Sequence, residues 1–352
     1  MEHVFRQVIQ EILATPNRPA RAATPPPIRL SQNEMPWEPA PVVLDAMTAA
    51  LHRAHRYPDY HRAHAREAVA AACGVQPDQV AVDNGSGTLL HALARLVCEP
   101  GRHGVYCWPS FDAYPLALRL TGAEATPVAL AGSGAMDMAA MRAAIRPETR
   151  LVYLCNPNNP TGGVLGVAEL RAFLAAVPSQ VMVVLDEAYR EFIDIESVDA
   201  TVDLLSDYDN LVIVRTMSKA HGLAGVRAGY VLSSVRIAEA LRRTTVGFAL
   251  NVVAEAAIIA ALSDEGRAIA HERISQIVAE RTRLQGELSD RGVSHLASQA
   301  NFVFLGGDAA ELSSRLERHG VLARPFPQAG GVRVTVGLPD DNAAVLAALS
   351  AR

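Results

Sequence analysis

Six short apolar runs recur between residues 80 and 232, and longer amphipathic stretches separate them. The runs occupy residues 80–82, 105–108, 151–155, 181–185, 211–214 and 229–232. Residues 88–97 and 167–176 are two of the amphipathic stretches. Continuous apolar strands that alternate with helices are typical of a largely parallel sheet covered by helices on both faces. The pattern therefore predicts an α/β fold for this part of the chain.

The segments on either side of this region have other patterns. Residues 15–27 are rich in proline and predict an extended arm, because proline cannot continue a helix. Residues 251–291 are helical in pattern, and a strand (301–305), a helix (309–319) and two strands (near 321–325 and 331–336) follow. We expect an N-terminal arm with part of a small domain (1–45), a large domain (46–250) and a small α+β domain (251–352).

Composition excludes several classes of function. The net charge is −5 and no basic run occurs, so we expect no nucleic-acid partner. No run of 18 apolar residues occurs, so we expect no membrane span. The four cysteines lie far apart and form no CxxC pair, which argues against a metal site or a disulfide framework and favours a reducing, cytoplasmic location.

The chain contains 31 arginines and one lysine, Lys219. Arginine keeps its proton at any accessible pH, whereas a lysine amine can lose it and attack a carbonyl group. The single lysine can be a remnant of compositional drift or a reactive amine. Its neighbours favour the amine, because Thr216, Ser218 and Arg227 supply two hydroxyls and a guanidinium that suit a phosphate dianion.

Polar segments follow the other predicted strands. DNGSG (83–87) opens into a helix and is either an ordinary turn or a phosphate cradle at the helix N-terminus. NPNNPTG (156–162) is a rigid turn that can hold an asparagine amide at the edge of the sheet. Asp186, in DEAY, follows a buried strand, where a carboxylate either caps a helix or needs a cation beside it.

Nine stretches along the chain carry a family resemblance. They are LSQNE (30–34), RYPD (56–59), NGSG (84–87), WPSFDAYP (108–115), NPNNPTG (156–162), DEAY (186–189), SKAHGLAGVRAGY (218–230), SQANFVFL (298–305) and GVRVTVGLP (331–339). In this order they resemble the fold-type I aminotransferases that depend on pyridoxal 5′-phosphate (PLP). Within these enzymes, the chain is similar to the branch of histidinol-phosphate and aromatic (phenylalanine) aminotransferases.

The resemblance implies a role for each matching residue. Lys219 would form the Schiff base and move protons, Asp186 would face the ring nitrogen N1, and Tyr189 and Asn159 would bind the ring oxygen O3′. The expected cofactor-binding residues are Ser86, Gly87, Phe111, Asn159, Asp186, Tyr189, Thr216, Ser218, Lys219, Arg227 and, from the second subunit of a homodimer, Tyr57. The expected substrate-binding residues are Arg333 at the α-carboxylate, Arg324 and Asn159.

The resemblance also implies the reaction. An amino group would pass between an aromatic amino acid or histidinol phosphate and 2-oxoglutarate by a ping-pong mechanism. A decarboxylase of the threonine-phosphate type, an aminotransferase for a specialised secondary metabolite and a binding module that has kept the fold remain alternatives. Three departures bear on the substrate: the arm at residues 15–27 lacks an aromatic residue, and His221 and Gly247 differ from the usual residues near the pocket.

Overall fold

The computed structural model describes residues 5–14 and 28–350. The strands are β1 Ile28–Arg29, β2 Val80–Asp83, β3 His103–Trp108, β4 Glu124–Ala129, β5 Thr149–Cys155, β6 Met182–Asp186, β7 Leu211–Thr216, β8 Gly229–Ser233, β9 His295–Leu296, β10 Phe302–Gly306, β11 Val321–Leu322, β12 Arg324–Phe326 and β13 Gly331–Thr335. The helices are α1 Gln7–Ala14, α2 Pro41–Leu51, α3 Ala63–Cys73, α4 Ser86–Val97, α5 Ala113–Thr121, α6 Met138–Ala143, α7 Val167–Ala176, α8 Val235–Thr244, α9 Val252–Ala261, α10 Asp264–Asp290, α11 Ala309–Arg318 and α12 Pro339–Ser350. The predicted arm at residues 15–27 lies outside the described residues.

Seven strands form the central sheet, in the order β2-β8-β7-β6-β5-β3-β4. Strands β3 to β7 run parallel, and β8 is antiparallel to both of its neighbours, β2 and β7. All six predicted runs form strands of this sheet, which confirms a mostly parallel α/β fold. The sequence pattern missed β4, because this edge strand pairs only with β3 and only one of its six residues is buried.

Both faces of the central sheet are covered, because alternate residues of each strand enter different apolar clusters. On β6 and β7, Val183 and Ile213 pack in one cluster, and Val184 and Val212 pack in the other. A residue that follows such a buried strand is held at the sheet edge by a rigid interior on both sides. The loops after β5, β6 and β7 therefore start from fixed positions.

A smaller antiparallel sheet, in the order β12-β13-β10-β9, has a core of its own with α10, α11 and α12. Strand β1 pairs with β11, so the segment that starts at Ile28 joins this second unit. Helix α9, in contrast, packs with α2 in the core of the central sheet. The domain boundaries at residues 45 and 250 stay predictions.

The described helices include no candidate for a membrane span. None of them has both the length and the apolar character that crossing a bilayer requires.

Candidate active site

A cavity of about 390 Å³ lies where the loops after the parallel strands meet the smaller sheet. Every predicted site residue lines it except Tyr57. The lining residues are Arg29, Gln32, Glu34, Ser86, Gly87, Phe111, Cys155, Asn159, Asp186, Ala188, Tyr189, Thr216, Ser218, Lys219, Ala224, Arg227, Arg324 and Arg333. Residues that are up to 304 positions apart in sequence, Arg29 and Arg333, share this cavity.

Lys219 follows β7 by three residues, and its Nζ donates a hydrogen bond of 2.7 Å to the backbone carbonyl of Gln32. Burial, together with a smaller effect of the guanidinium of Arg333, lowers the pKa of this amine from 10.5 to about 7. A substantial fraction of the amine is therefore neutral at pH 7. A neutral amine is the form that attacks a carbonyl carbon.

Asp186 ends β6 and is almost fully buried. Its Oδ2 accepts a hydrogen bond of 2.8 Å from the hydroxyl of Tyr114, and its Oδ1 accepts one of 3.2 Å from the amide of Ala188. Burial raises the pKa of the carboxyl from 3.8 to about 6. Among the described residues Asp186 has no cationic partner, so the site presents a buried acid that a cation would stabilise.

The residues next to Asp186 and Thr216 point to the other side of the sheet. Glu187 is buried there and accepts a hydrogen bond of 2.9 Å from Nε of Arg215 and one of 2.6 Å from the hydroxyl of Thr201. Side chains alternate between the faces of a strand, which explains the separation. Asp186 and Thr216 line the cavity, whereas Glu187 and Arg215 form a structural ion pair outside it.

The N-terminus of α4 and the Lys219 loop form one wall of the cavity. Helix α4 begins at Ser86, so the amides of its first turn have no partner within the helix. A Cβ added to Gly85 would lie 2.6 Å from Nη2 of Arg227, and one added to Gly229 would lie 2.5 Å from the amide nitrogen of Ser86. The glycines therefore allow Arg227 and the helix terminus to approach closely. Backbone amides, a guanidinium and the hydroxyls of Thr216 and Ser218 together suit a phosphate dianion.

The loop after β5 holds Asn159 beside Arg333. Asn156 closes the base of the loop by two hydrogen bonds with Leu165, of 3.0 and 2.8 Å, and Asn158 Nδ2 donates to the hydroxyl of Thr161 at 2.8 Å. Only Asn159 of the three asparagines lines the cavity, and its Oδ1 accepts a hydrogen bond of 2.5 Å from Nη1 of Arg333. This contact links the two sheets across the site.

Two residues that contact the predicted site residues were not predicted from the sequence. Tyr114 holds the Asp186 carboxylate, and Asn33 donates a hydrogen bond of 2.9 Å to the hydroxyl of Tyr189. Both residues lie in stretches that carried the resemblance, but their positions in those stretches assign no partner. Their partners become visible only when the chain is folded.

Three residues that the sequence placed at or near the site lie outside the cavity: Tyr57, His221 and Gly247. Tyr57 is 82% exposed, and its ring packs at 4.6 Å on that of Phe248. His221 lines a separate cavity of about 620 Å³ beside Arg215 and Tyr230, so the expectation that it lies near the substrate is wrong. The turn after Lys219, closed by the amide of Gly222 on the Lys219 carbonyl at 2.9 Å, directs the two side chains to different cavities.

The comparison with known proteins agrees with this geometry. The family model "Aminotransferase class I and II" matches residues 25–349. The chain belongs to this aminotransferase family. An aromatic amino acid aminotransferase of Thermobifida fusca is 42% identical over 94% of this chain and 92% of its own. Histidinol-phosphate aminotransferase 1 of Dechloromonas aromatica is also 42% identical, over 92% of this chain and 89% of its own.

A solved structure extends the likeness to the fold. The histidinol-phosphate aminotransferase from Sinorhizobium meliloti, in complex with pyridoxal 5′-phosphate, superposes with a TM-score of 0.88 at 30% identity. The match covers 99% of this chain and 96% of that one. This aminotransferase is therefore a fold-type I enzyme whose cofactor is PLP.

The cavity of this aminotransferase fits PLP by the chemistry of its donors. The cofactor has an aldehyde, a ring nitrogen that can be protonated, and a phosphate. The cavity offers an amine with a lowered pKa, a buried carboxylate that has no cationic partner among the described residues, and the wall of amides, hydroxyls and guanidinium formed with α4. Each of these three groups of the cofactor thus has a complement on this chain.

Proposed function

We propose that this aminotransferase moves the amino group of an aromatic amino acid to 2-oxoglutarate, with Lys219 as the reactive amine. The pairing of that amine with the buried Asp186 carboxylate in one cavity is the observation that carries the proposal. Relatives about 40% identical, such as the aromatic amino acid aminotransferase of Thermobifida fusca, support an aromatic substrate. Histidinol phosphate is the second candidate, favoured by the Dechloromonas aromatica relative and by the arginines that line the cavity.

The lining of the cavity supports the proposed role of each residue that would hold the cofactor. Lys219 would bind its aldehyde carbon, and Asp186 would keep the ring nitrogen protonated, because a buried carboxylate is stabilised by an adjacent cation. Asn159 and Tyr189 would bind the ring oxygen, and Phe111 would cover one face of the ring. The phosphate would contact Ser86, Gly87, Thr216, Ser218 and Arg227.

When bound, PLP supplies an electron-withdrawing ring that stabilises negative charge at the substrate Cα. Lys219 Nζ would be the base that accepts the Cα proton and then the acid that delivers it to the former aldehyde carbon of the cofactor. A pKa of about 7 suits both roles, because the amine changes protonation state readily near neutral pH. The carbonyl of Gln32, 2.7 Å from Nζ, orients the amine.

Arg333 would bind the α-carboxylate of the substrate as a bidentate pair and so orient the Cα–H bond toward Lys219. Its guanidinium is positioned by Asn159 Oδ1 and by the backbone carbonyl of Ser31, at 2.5 and 2.6 Å. The rings of Phe302 and Phe326 lie 5.4 and 5.5 Å from it. A guanidinium held on several sides loses little freedom when it binds a carboxylate.

We also propose a homodimer in which Tyr57 reaches the phosphate site of the partner. Tyr57 does not line the cavity of its own chain, and it lies in an exposed apolar patch with Tyr60, Val246 and Phe248. Such patches mark interaction surfaces. The four cysteines are buried and form no disulfide, which supports the proposed cytoplasmic location.

A half-reaction screen tests the substrate. The enzyme loaded with PLP is mixed in turn with phenylalanine, tyrosine, histidinol phosphate and glutamate, and conversion of the cofactor to its amine form is followed by absorbance. We expect conversion with the aromatic amino acids and glutamate. Conversion by histidinol phosphate at a much higher kcat/KM than by any aromatic amino acid would replace the first candidate by the second.

A further inference from the structure

Two of the arginines that line the cavity are direct neighbours across two strands. Arg324 of β12 lies opposite Arg333 of β13, and both side chains line the cavity. Directly opposite residues on one face have Cβ atoms about 5 Å apart, and like charges at such positions repel. The two guanidiniums can therefore stay on one face only if other groups compensate their charges.

The two arginines have different partners. Arg333 donates to an amide oxygen of Asn159 and to the carbonyl of Ser31, which are neutral acceptors that a substrate carboxylate can join. Arg324 forms an ion pair with Asp112, with 2.7 Å between Nη2 and Oδ2, and its guanidinium lies 5.0 Å from the ring centre of Phe326. Arg324 is therefore already paired with a carboxylate of this chain, that of Asp112.

Asp112 occupies the N-cap position of α5, but its side chain accepts no capping hydrogen bond from the amides of the first turn of that helix. Capping is the usual reason for an aspartate at this position. Here the carboxylate instead binds an arginine 212 residues away, from the other sheet. Asp112 does not line the cavity itself, but its carboxylate pairs with Arg324, which does, so its charge lies at the edge of the cavity.

We propose that Asp112 is a positioning residue that acts through Arg324 and biases the enzyme toward substrates whose side chains are neutral. The proposal rests on the proposed function and deepens it. A neutral aromatic side chain can bind while the Arg324–Asp112 pair stays intact. A distal carboxylate or phosphate has to displace Asp112 from Arg324 or accept a like charge nearby, and both options weaken binding.

The test compares Asp112→Asn with the wild-type enzyme in both half-reactions. Phenylalanine represents donors with neutral side chains, and glutamate represents donors with a distal anion. Asp112→Asn should raise kcat/KM for glutamate relative to phenylalanine by roughly three- to thirtyfold, mainly through a lower KM for glutamate. Asp207→Asn is the matched control, because it also removes one acid from an ion pair, with Arg171 at 2.5 Å on the surface.

A second variant separates this effect from a structural one. Arg324→Gln should lower kcat/KM for glutamate, and the addition of Asp112→Asn to it should change the ratio little, because Asp112 acts through Arg324. A loss of stability would instead change both donors alike. An unchanged ratio in Asp112→Asn, or an equal gain in the Arg324→Gln background, would overturn the proposal.

The proposed function can fail separately. If the wild-type enzyme does not react with phenylalanine, the aromatic assignment falls, and the neutral donor is replaced by another amino acid that does react. The KM for glutamate still decides the role of Asp112: a lower KM in Asp112→Asn than in wild type supports it, and an equal or higher KM overturns it.

Discussion

Removal of the Asp186 charge should stabilise the protein without PLP and inactivate the protein with PLP. The pKa of this carboxyl rises from 3.8 to about 6, because burial disfavours the charged form. A difference of this size corresponds to about 3 kcal/mol. The folded state binds the proton more tightly than the unfolded chain, so the cost is absent below pH 3.8, grows between pH 3.8 and 6, and is complete above pH 6.

Asp186→Asn keeps the shape of the side chain and removes the charge. Part of this gain in the free energy of unfolding is lost, because the amide nitrogen of asparagine replaces one of the two oxygens that accept hydrogen bonds from Tyr114 and Ala188. We expect the cofactor-free variant to be more stable than wild type by roughly 1–2 kcal/mol at about pH 8. The difference should shrink at about pH 5, where most of the Asp186 carboxyl is already protonated in the folded protein.

Urea unfolding of the cofactor-free proteins at the two pH values measures the effect. The control is Asp83→Asn, another buried aspartate, whose Oδ2 lies 3.8 Å from Nη1 of Arg62. This variant should be destabilised, because it leaves a buried guanidinium without its carboxylate. With PLP bound, Asp186→Asn should lose cofactor affinity and kcat. A cofactor-free Asp186→Asn protein that is less stable than wild type by the same amount at both pH values would refute the reasoning.

Four further predictions concern Lys219, Arg333 and Tyr57. The rate at which cofactor-free protein binds PLP should rise with pH through a midpoint near 7, because the Lys219 amine is protonated below its pKa. Stopped-flow absorbance measures this rate. A midpoint near pH 10 would contradict the lowered pKa of Lys219. Lys219→Arg should lose at least 10²–10⁴-fold in kcat, and borohydride should no longer fix the cofactor to the chain. Arg333→Lys should lower kcat/KM for amino acids by about 10²-fold, because lysine cannot form the bidentate pair; a loss under threefold would argue against the carboxylate role. Mixing Lys219→Ala with Tyr57→Ala subunits should restore activity that neither has alone, because one site of the mixed dimer carries both native residues; no recovery would argue against a shared site.

The central sheet was predictable from sequence because its strands are buried on both faces. A strand such as β6 is apolar at nearly every position and ends at a charged residue, Asp186, so its end coincides with a change of composition. Strand β4 gives no such signal. Glu124 and Pro127 interrupt it, and it lies at the edge of the sheet, where half of each strand can face water.

The part of the site that was predictable from sequence consists of residues in short segments that directly follow strands. Lys219, Thr216 and Ser218 lie within four positions of each other, so one loop brings them together. The contacts of Asn33 with Tyr189 and of Asp112 with Arg324 span 156 and 212 positions. A single sequence does not encode such pairings in a local pattern, and the packing of the smaller sheet on the central one creates them.

The division between one lysine and 31 arginines has a chemical consequence at this cavity. Arg227, Arg324 and Arg333 supply positive charge for anions, and all three lower the pKa of the Lys219 amine. A lysine at any of these positions would also supply charge, but its amine could compete with Lys219 for an aldehyde. Because a guanidinium stays protonated, the cavity can hold several cations and still present one reactive amine. Replacing Arg333 by lysine would keep the charge, but it would lose the bidentate pair with the carboxylate and add a second amine to the cavity.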